Sequence, residues 1–178
     1  MEKDELVKKT PDPKVSPAFY HLSTFPKAYN KHNCEHEKIA GDIYVNLQAF
    51  INYWDYHETK DFTQLKLKPD RQSVIGGQVI MWEIDKATEI RAEIIEKVRK
   101  YIRYAEKYQQ DYFVVFACPK GRVKSLLEVL KDFRHGLVWF FLVDYEELLI
   151  NPTGNIFTSI MGERVTLVYP PQIAEAPQ

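Results

Sequence analysis

The stretch "LKLKPDRQSVIGGQVIMWEIDKATE", Leu65 to Glu89, decides how this chain is read. It carries Leu65 and Leu67 alternating with lysines, the pattern of a half-buried strand, and Asp70 follows directly after Pro69. Gly76-Gly77 supplies a tight turn into "QVIMWEID", so the segment predicts an antiparallel hairpin. The second strand runs through Val79, Ile80, Met81 and Trp82 and then meets two acids, Glu83 and Asp85. Residues two apart on a strand share a side, so both carboxylates face one way. Asp70 joins them across the hairpin if the second strand bends or is offset. Three carboxylates at one point repel, and a divalent cation resolves that conflict. Mg²⁺ takes oxygen ligands and keeps several waters, one of which can attack a phosphodiester. The bland alternative stays open here: Asp85 caps the following helix and Asp70 is a turn residue.

Outward from the hairpin, the chain alternates helices and strands. A helix is expected over about Glu37–Tyr56, from the spacing of Ile39, Ile43, Leu47, Phe50, Ile51 and Trp54. Thr88 is placed to cap a long helix over about Glu89–Gln109, whose apolar stripe runs from Ile90 to Tyr108. "DYFVVFAC" and "GLVWFFLVD" read as buried strands with the amphipathic "VKSLLEVLKDF" between them, and "YEELLI" as a helical turn. "NIFTSI" and "ERVTLV" read as a closing pair of short strands. The fold class is therefore α/β, a mixed sheet flanked by helices. Residues 1–35 are expected to be a tail or linker with one strand-like piece, "AFYHLSTF". Residues 36–170 form the domain, and 171–178 are loose.

The 178 residues suit one domain with a real core, and 45% apolar with 28% charged residues excludes a disordered chain. No apolar run approaches the roughly 20 residues of a membrane span, and "MEKDELVKK" lacks a signal-peptide core. Two cysteines make no disulfide framework, so the cytoplasm is the expected compartment. A formal charge of −1 neither demands nor excludes nucleic acid, since a phosphate-binding face is local. "PKGR" is too short for a P-loop, which discounts ATP. His32, Cys34 and His36 are zinc-ligand types, but no fourth partner at metal-site spacing is visible, and His36 is expected to pack or cap at the helix start. Cys118 is expected to be a buried thiol.

"KVRKYIRYAEK" interleaves Lys97, Arg99, Lys100, Arg103 and Lys107 with Tyr101 and Tyr104, a pattern suited to a phosphate backbone with stacked bases. Glu96 and Glu106 interrupt the run, and a solvated helix face with a tyrosine-lined core side is the competing reading. Lys86 and Arg122 extend the same basic surface, with Lys124 beside them.

"KPD", "WEIDKATE" and "EKVRKYIRYAE" resemble the plasmid replication-relaxation family, within the wider restriction-endonuclease-like fold of PD-(D/E)xK nucleases. "HEKIAGDIYVNL" looks like the family's first helix and "DYFVVFACPKGRVKSLLEVL" like its next strand, turn and helix, so the resemblance covers about residues 35–150. It implies a restriction-endonuclease-like core of order α-β-β-α-β-α-β and metal-dependent hydrolysis of DNA phosphodiesters, for a plasmid, phage or other mobile element. Asp70, Glu83 and Asp85 would hold Mg²⁺ or Mn²⁺, Lys97 would assist, and Glu37 would be an auxiliary acid. Two departures are plain. The winged helix that often precedes the nuclease-like part is not expected within 35 residues, and Asp85 stands where the motif has lysine. Lys97 is the candidate migrated lysine, although Glu93 and Lys97 also suit an i,i+4 surface pair. Glu37 could equally complement the helix dipole. The alternative function is a catalytically inactive module that binds DNA or a replication-complex partner; homodimerisation is expected only by analogy with the fold.

Overall fold

The computed structural model describes residues 7–10, 19–22, 31–55 and 64–168. The chain divides into two units, Met1–Ile39 and Ala40–Gln178. In the first, β1 (Val7–Thr10) and β2 (Phe19–Leu22) pair antiparallel, Val7 opposite Leu22 and Thr10 opposite Phe19. Composition placed both in a tail with a single strand-like piece; the β-forming Val7, Phe19 and Tyr20 sit in the paired segments. Helix α1 spans Lys31–Leu47 and crosses the division between the units. The expected loose tail at 171–178 lies outside the described residues.

The second unit is built on a seven-stranded sheet whose strands lie in sequence order. They are β3 (Ile51–Asp55), β4 (Arg71–Ile75), β5 (Gln78–Ile84), β6 (Tyr112–Cys118), β7 (Val138–Asp144), β8 (Phe157–Ser159) and β9 (Arg164–Val165). β5, β6 and β7 run parallel, and the outer neighbours pair antiparallel, so the sheet is mixed and the α/β expectation holds. Helix α2 (Arg91–Tyr108) connects β5 to β6, α3 (Lys120–Leu130) connects β6 to β7, and α4 (Tyr145–Ile150) follows β7. Two successive crossovers of one hand, stepping the same way across a sheet, place both helices on one face. Ile94, Val98 and Tyr101 of α2 and Leu126, Val129 and Leu130 of α3 accordingly share a core with Met81, Val114, Phe116, Phe140 and Leu142. The alternate residues Ile80, Trp82, Val115, Ala117 and Val143 are buried on the opposite face. There the rings of Tyr44, Trp54 and Trp82 make successive contacts, at 5.8 and 6.0 Å between centroids.

The first helix begins at Lys31, six residues before the expected Glu37, and three further boundaries differ from the sequence reading. The first helix ends at Leu47, and "INYWD", whose apolar spacing continues the helical period, is strand β3, paired with β4. Its β-branched and aromatic residues suit a pleated ladder. Secondly, Leu65–Leu67 is not a strand: Lys66 takes a left-handed φ of 50°, and the hairpin's first strand starts at Arg71. Its polar opening, Arg71-Gln72-Ser73, hides it, yet Ser73 is fully buried because its hydroxyl accepts from the Trp82 indole N–H at 2.8 Å. Thirdly, the cap of α2 is Ile90 and not Thr88; the Ile90 N–H donates to Glu93 at 2.9 Å. The Gly76–Gly77 turn is as expected, with φ of 57° and 82° at the two glycines.

Candidate functional site

The hairpin register sets the site. Arg71 lies opposite Trp82, where the strand pairing ends, and the Asp70 N–H donates to the Trp82 carbonyl at 3.0 Å, which brings Asp70 near enough to Glu83 to push its carboxyl up. Asp70 Oδ2 also accepts from the Ile84 N–H at 2.7 Å, which ties the carboxylate to the partner strand. Glu83 is not past the strand end but inside the ladder, opposite Phe116 of β6, and is 1% exposed. A carboxylate there needs donors, and α2 supplies two, one helical turn apart. Lys97 Nζ donates to Glu83 Oε2 at 2.6 Å, and the Tyr101 hydroxyl donates to Oε1. Lys97 reaches Glu89 Oε1 as well, at 2.7 Å. The other oxygen, Glu89 Oε2, is buried with no hydrogen-bond partner.

Burial pushes the Glu83 carboxyl up to about 7, against the pull of the Lys97 ammonium and with Asp70 adding repulsion. Burial alone would lower Lys97, but Glu83 and then Glu89 outweigh it and hold the ammonium protonated, above its ordinary range. Burial and then the adjoining Glu83 keep the Tyr101 hydroxyl protonated, as a donor must be. The i,i+4 surface pair between Glu93 and Lys97 does not form; Glu93 accepts from the backbone at Ile90, and Lys97 turns to the acids.

Asp85 faces the helices as Glu83 does, but it meets a different partner. Its N–H continues the parallel ladder to the Ala117 carbonyl at 3.0 Å. Oδ1 then accepts from the Ala87 N–H at 2.7 Å, and Oδ2 from Arg122 Nε at 2.9 Å. Arg122 also donates to the Glu89 carbonyl at 2.6 Å. Asp85 is thus held by α3 while Glu83 is held by α2. Among the described residues no group of three or more His, Cys, Asp or Glu side chains is arranged to hold a metal ion.

The expected basic surface is redistributed too. Arg122 is committed to Asp85 and Glu89, so it belongs to the framework. Lys86, just past β5, is half-buried. Arg99 and Arg103 are exposed on α2, and Lys100 pairs with Glu96 at 3.0 Å. Tyr101 and Tyr104 are buried, Tyr104 against Tyr108 and Tyr112, so α2 presents neither ring for stacking on bases. Glu37 lies on α1 in the Met1–Ile39 unit, 3.9 Å from His36 Nδ1. The side chains of His32 and Cys34 lie outside the described residues. Cys118 is buried, and its thiol is pushed up to about 12, chiefly by burial and then by Asp85, which leaves it inert.

Sequence reasoning missed Tyr101 and Glu89 as partners of the acids. Tyr101 carried a signal, its i,i+4 spacing from Lys97. Glu89 carried only its place in the Thr-Glu pair after "EID". Among the described residues no helix is long and apolar enough to cross a membrane.

A comparison with curated proteins finds no match. A family model described as replication-relaxation matches residues 5–116. The match begins earlier than the expected residue 35, taking in β1 and β2, and ends within β6, so α3 with Arg122 lies outside it. It covers Asp70, Glu83, Asp85, Glu89, Lys97 and Tyr101 and more than half of the chain. The chain therefore belongs to the replication-relaxation family, which ties it to plasmid replication and relaxation.

Proposed function

We propose that the chain hydrolyses DNA phosphodiesters at Asp70, Glu83 and Lys97 with the help of Mg²⁺ or Mn²⁺. The observation that carries this reading is the hydrogen bonding that ties Asp70 to β5 at Trp82 and Ile84, on either side of Glu83, while Lys97 brings an ammonium to the Glu83 carboxylate. The donor set suits the ion: Mg²⁺ is commonly bound by one or two carboxylates plus substrate phosphates, not by an all-protein cage. Asp70 and Glu83 would hold it, and Asp85, engaged by Ala87 and Arg122, would not take part. When bound, the ion supplies Lewis acidity and a water of lowered pKa. Lys97 offsets charge developing on the phosphate, and Tyr101 fixes the Glu83 carboxylate in place. Lys97 thus takes the role of the motif lysine from a helix, while the strand position that should carry it is filled by Asp85.

A second reading is favoured by a specific observation. Both oxygens of Glu83 and both of Asp85 already accept hydrogen bonds from the protein, as in a closed structural network. On that reading the chain binds DNA or a partner without turnover. Titration calorimetry of Mg²⁺ or Mn²⁺ into wild type and Asp70→Asn/Glu83→Gln, beside a plasmid-nicking assay, separates the two. Hydrolysis predicts metal binding and nicking in the wild type and the loss of both in the double variant. Nicking undiminished in the double variant would sink the mechanism, and no metal binding by the wild type would leave the second reading.

A further inference from the structure

Both oxygens of Glu83 are engaged, Oε2 by the Lys97 ammonium at 2.6 Å and Oε1 by the Tyr101 hydroxyl. A cation and a hydrogen-bond donor compete for the same lone pairs, so an ion that takes Glu83 has to displace one of them. The two donors are not equally able to leave. Tyr101 is 2% exposed in the core, whereas the Lys97 side chain is 24% exposed and lines a pocket of about 360 Å³. Lys97 is therefore the donor that yields.

Where the displaced ammonium goes is set by Glu89. Lys97 Nζ already donates to Glu89 Oε1 at 2.7 Å, and Glu89 lines the same pocket. Glu89 Oε2 is buried with no hydrogen-bond partner among the described residues. A buried acceptor left unpaired is costly, and native structures keep few of them. An ammonium carries three N–H donors on a flexible stem, so the donor released from Glu83 can turn to Oε2 while the bond to Oε1 stays.

The backbone holds Glu89 in place to do this. Its carbonyl accepts from Arg122 Nη2 at 2.6 Å, and Arg122 is itself held by Asp85. The turn that leads to it is pinned by the Ala87 N–H on Asp85 Oδ1, with Ala87 at a left-handed φ of 62°. A residue with a Cβ keeps that conformation only where its surroundings impose it. The pair of Asp85 and Arg122, which takes no part in holding the ion, thus fixes the acid that receives Lys97.

We propose that Glu89 is a positioning residue: it receives the Lys97 ammonium when a cation takes Glu83, so that the ion binds without expelling the lysine from the site. The proposal rests on the reading that Asp70 and Glu83 hold a divalent cation, and it is tested both without and with one. The Lys97 ammonium is read by NMR in the full chain labelled with ¹⁵N-lysine, its signal assigned by its absence in Lys97→Met. Ammonium protons held by carboxylates are seen, and those exchanging freely with water are not. Glu83→Gln, which neutralises Glu83 as an ion would, should keep the signal, and Glu83→Gln/Glu89→Gln should lose it. Glu83→Met takes the place of Glu83→Gln if the circular dichroism of the latter departs from wild type. In titration calorimetry Glu89→Gln should weaken Mn²⁺ binding about tenfold. Added to Lys97→Met, it should change the affinity by less than about threefold, since the lysine it serves is gone. Loss of the signal in Glu83→Gln alone would overturn the proposal, as would an unchanged Mn²⁺ affinity in Glu89→Gln. A weakening of the same size in the Lys97→Met background would overturn it too, because Glu89 would then act on the ion itself. A wild type that binds no Mn²⁺ would remove the hydrolysis reading, and the signal in Glu83→Gln would then decide by itself whether Glu89 holds the freed lysine.

Discussion

Replacing Lys97 by methionine tests the electrostatics of the site through stability alone. Glu83 rises from an ordinary 4.5 to about 7 in the folded chain, so the folded state binds a proton more tightly than the unfolded one. That stabilises the fold below about pH 4.5. The contribution is lost as pH rises to about 7, roughly 3 kcal/mol over the interval at 1.4 kcal/mol per unit. Above 7 the wild type is level, because Glu83 is ionised in both states. Lys97 is the largest influence pulling Glu83 down, so its removal lets the carboxyl climb further, into the range of about 8–9 reached by other buried glutamates. Lys97 itself adds no slope in this window, since it stays protonated throughout. The two proteins should therefore lose stability in parallel up to about pH 7 and diverge above it. The deficit of Lys97→Met at pH 8 should exceed its deficit at pH 6 by roughly 1.4 kcal/mol. Urea unfolding followed by circular dichroism at the two pH values measures this directly. A deficit that is the same at both would refute the idea that Lys97 compensates an ionised, buried Glu83.

Two further variants probe the rest of the cluster. Arg122→Leu should destabilise the chain by about 3 kcal/mol or more, seen as a lower Tm, because Asp85 is left 3% exposed without its guanidinium; a change under about 1 kcal/mol would show that the Ala87 N–H alone satisfies Asp85. Glu83→Met/Lys97→Met, which removes both charges, should be at least as stable as Lys97→Met at pH 8 and should flatten the stability profile between about pH 5 and 7. A profile as steep as the wild type's would assign that titration to another group.

How far the sequence carried the fold depends on the kind of signal each element has. β6, α3 and β7 are legible because a continuous apolar run and a 3.6-residue period have few alternatives, and the Gly76-Gly77 turn because it demands positive φ twice. "INYWD" misleads because Phe50, Ile51 and Trp54 fall on the period of the preceding helix, and only pairing with β4 makes them a strand. β4 was hidden by Ser73, which belongs in a core only because an indole nine residues away donates to it. The site divides in the same way. Asp70 and Glu83 were legible as acids of the hairpin segment, but Glu83 lies inside the ladder and the first strand is Arg71–Ile75, not the stretch with alternating lysines, so their closeness follows only from the β4–β5 pairing. The fate of Lys97 was not legible, since Glu93 at i−4 and Glu83 across the fold satisfy an ammonium equally well on paper. Asp85 and Arg122 are 37 residues apart with no shared period, so their pairing exists only in three dimensions.

Why a strand lined by Val79, Ile80, Met81 and Trp82 should carry Glu83 is a question of alternatives. A methionine or leucine at that position would fill the space between β5 and α2 without needing Lys97 or Tyr101, and replacing a buried ion pair by apolar residues is often neutral or stabilising by about 1–4 kcal/mol. The chain instead keeps a carboxyl whose burial pushes it to about 7, an ammonium held above its ordinary range, and a tyrosine hydroxyl devoted to positioning. Asp85 with Arg122 has the look of framework, joining β5 to the start of α3 through two backbone-anchored bonds. Glu83 joins nothing that hydrophobic packing between β5 and α2 does not already join, and it lies close enough to a second acid, Asp70, to be raised by it. Strongly perturbed groups gathered in one cluster are where chemistry is found more often than where stability is found. The two acids of "EID" therefore have different reasons to be there: Asp85 holds the scaffold, and Glu83 is held by it.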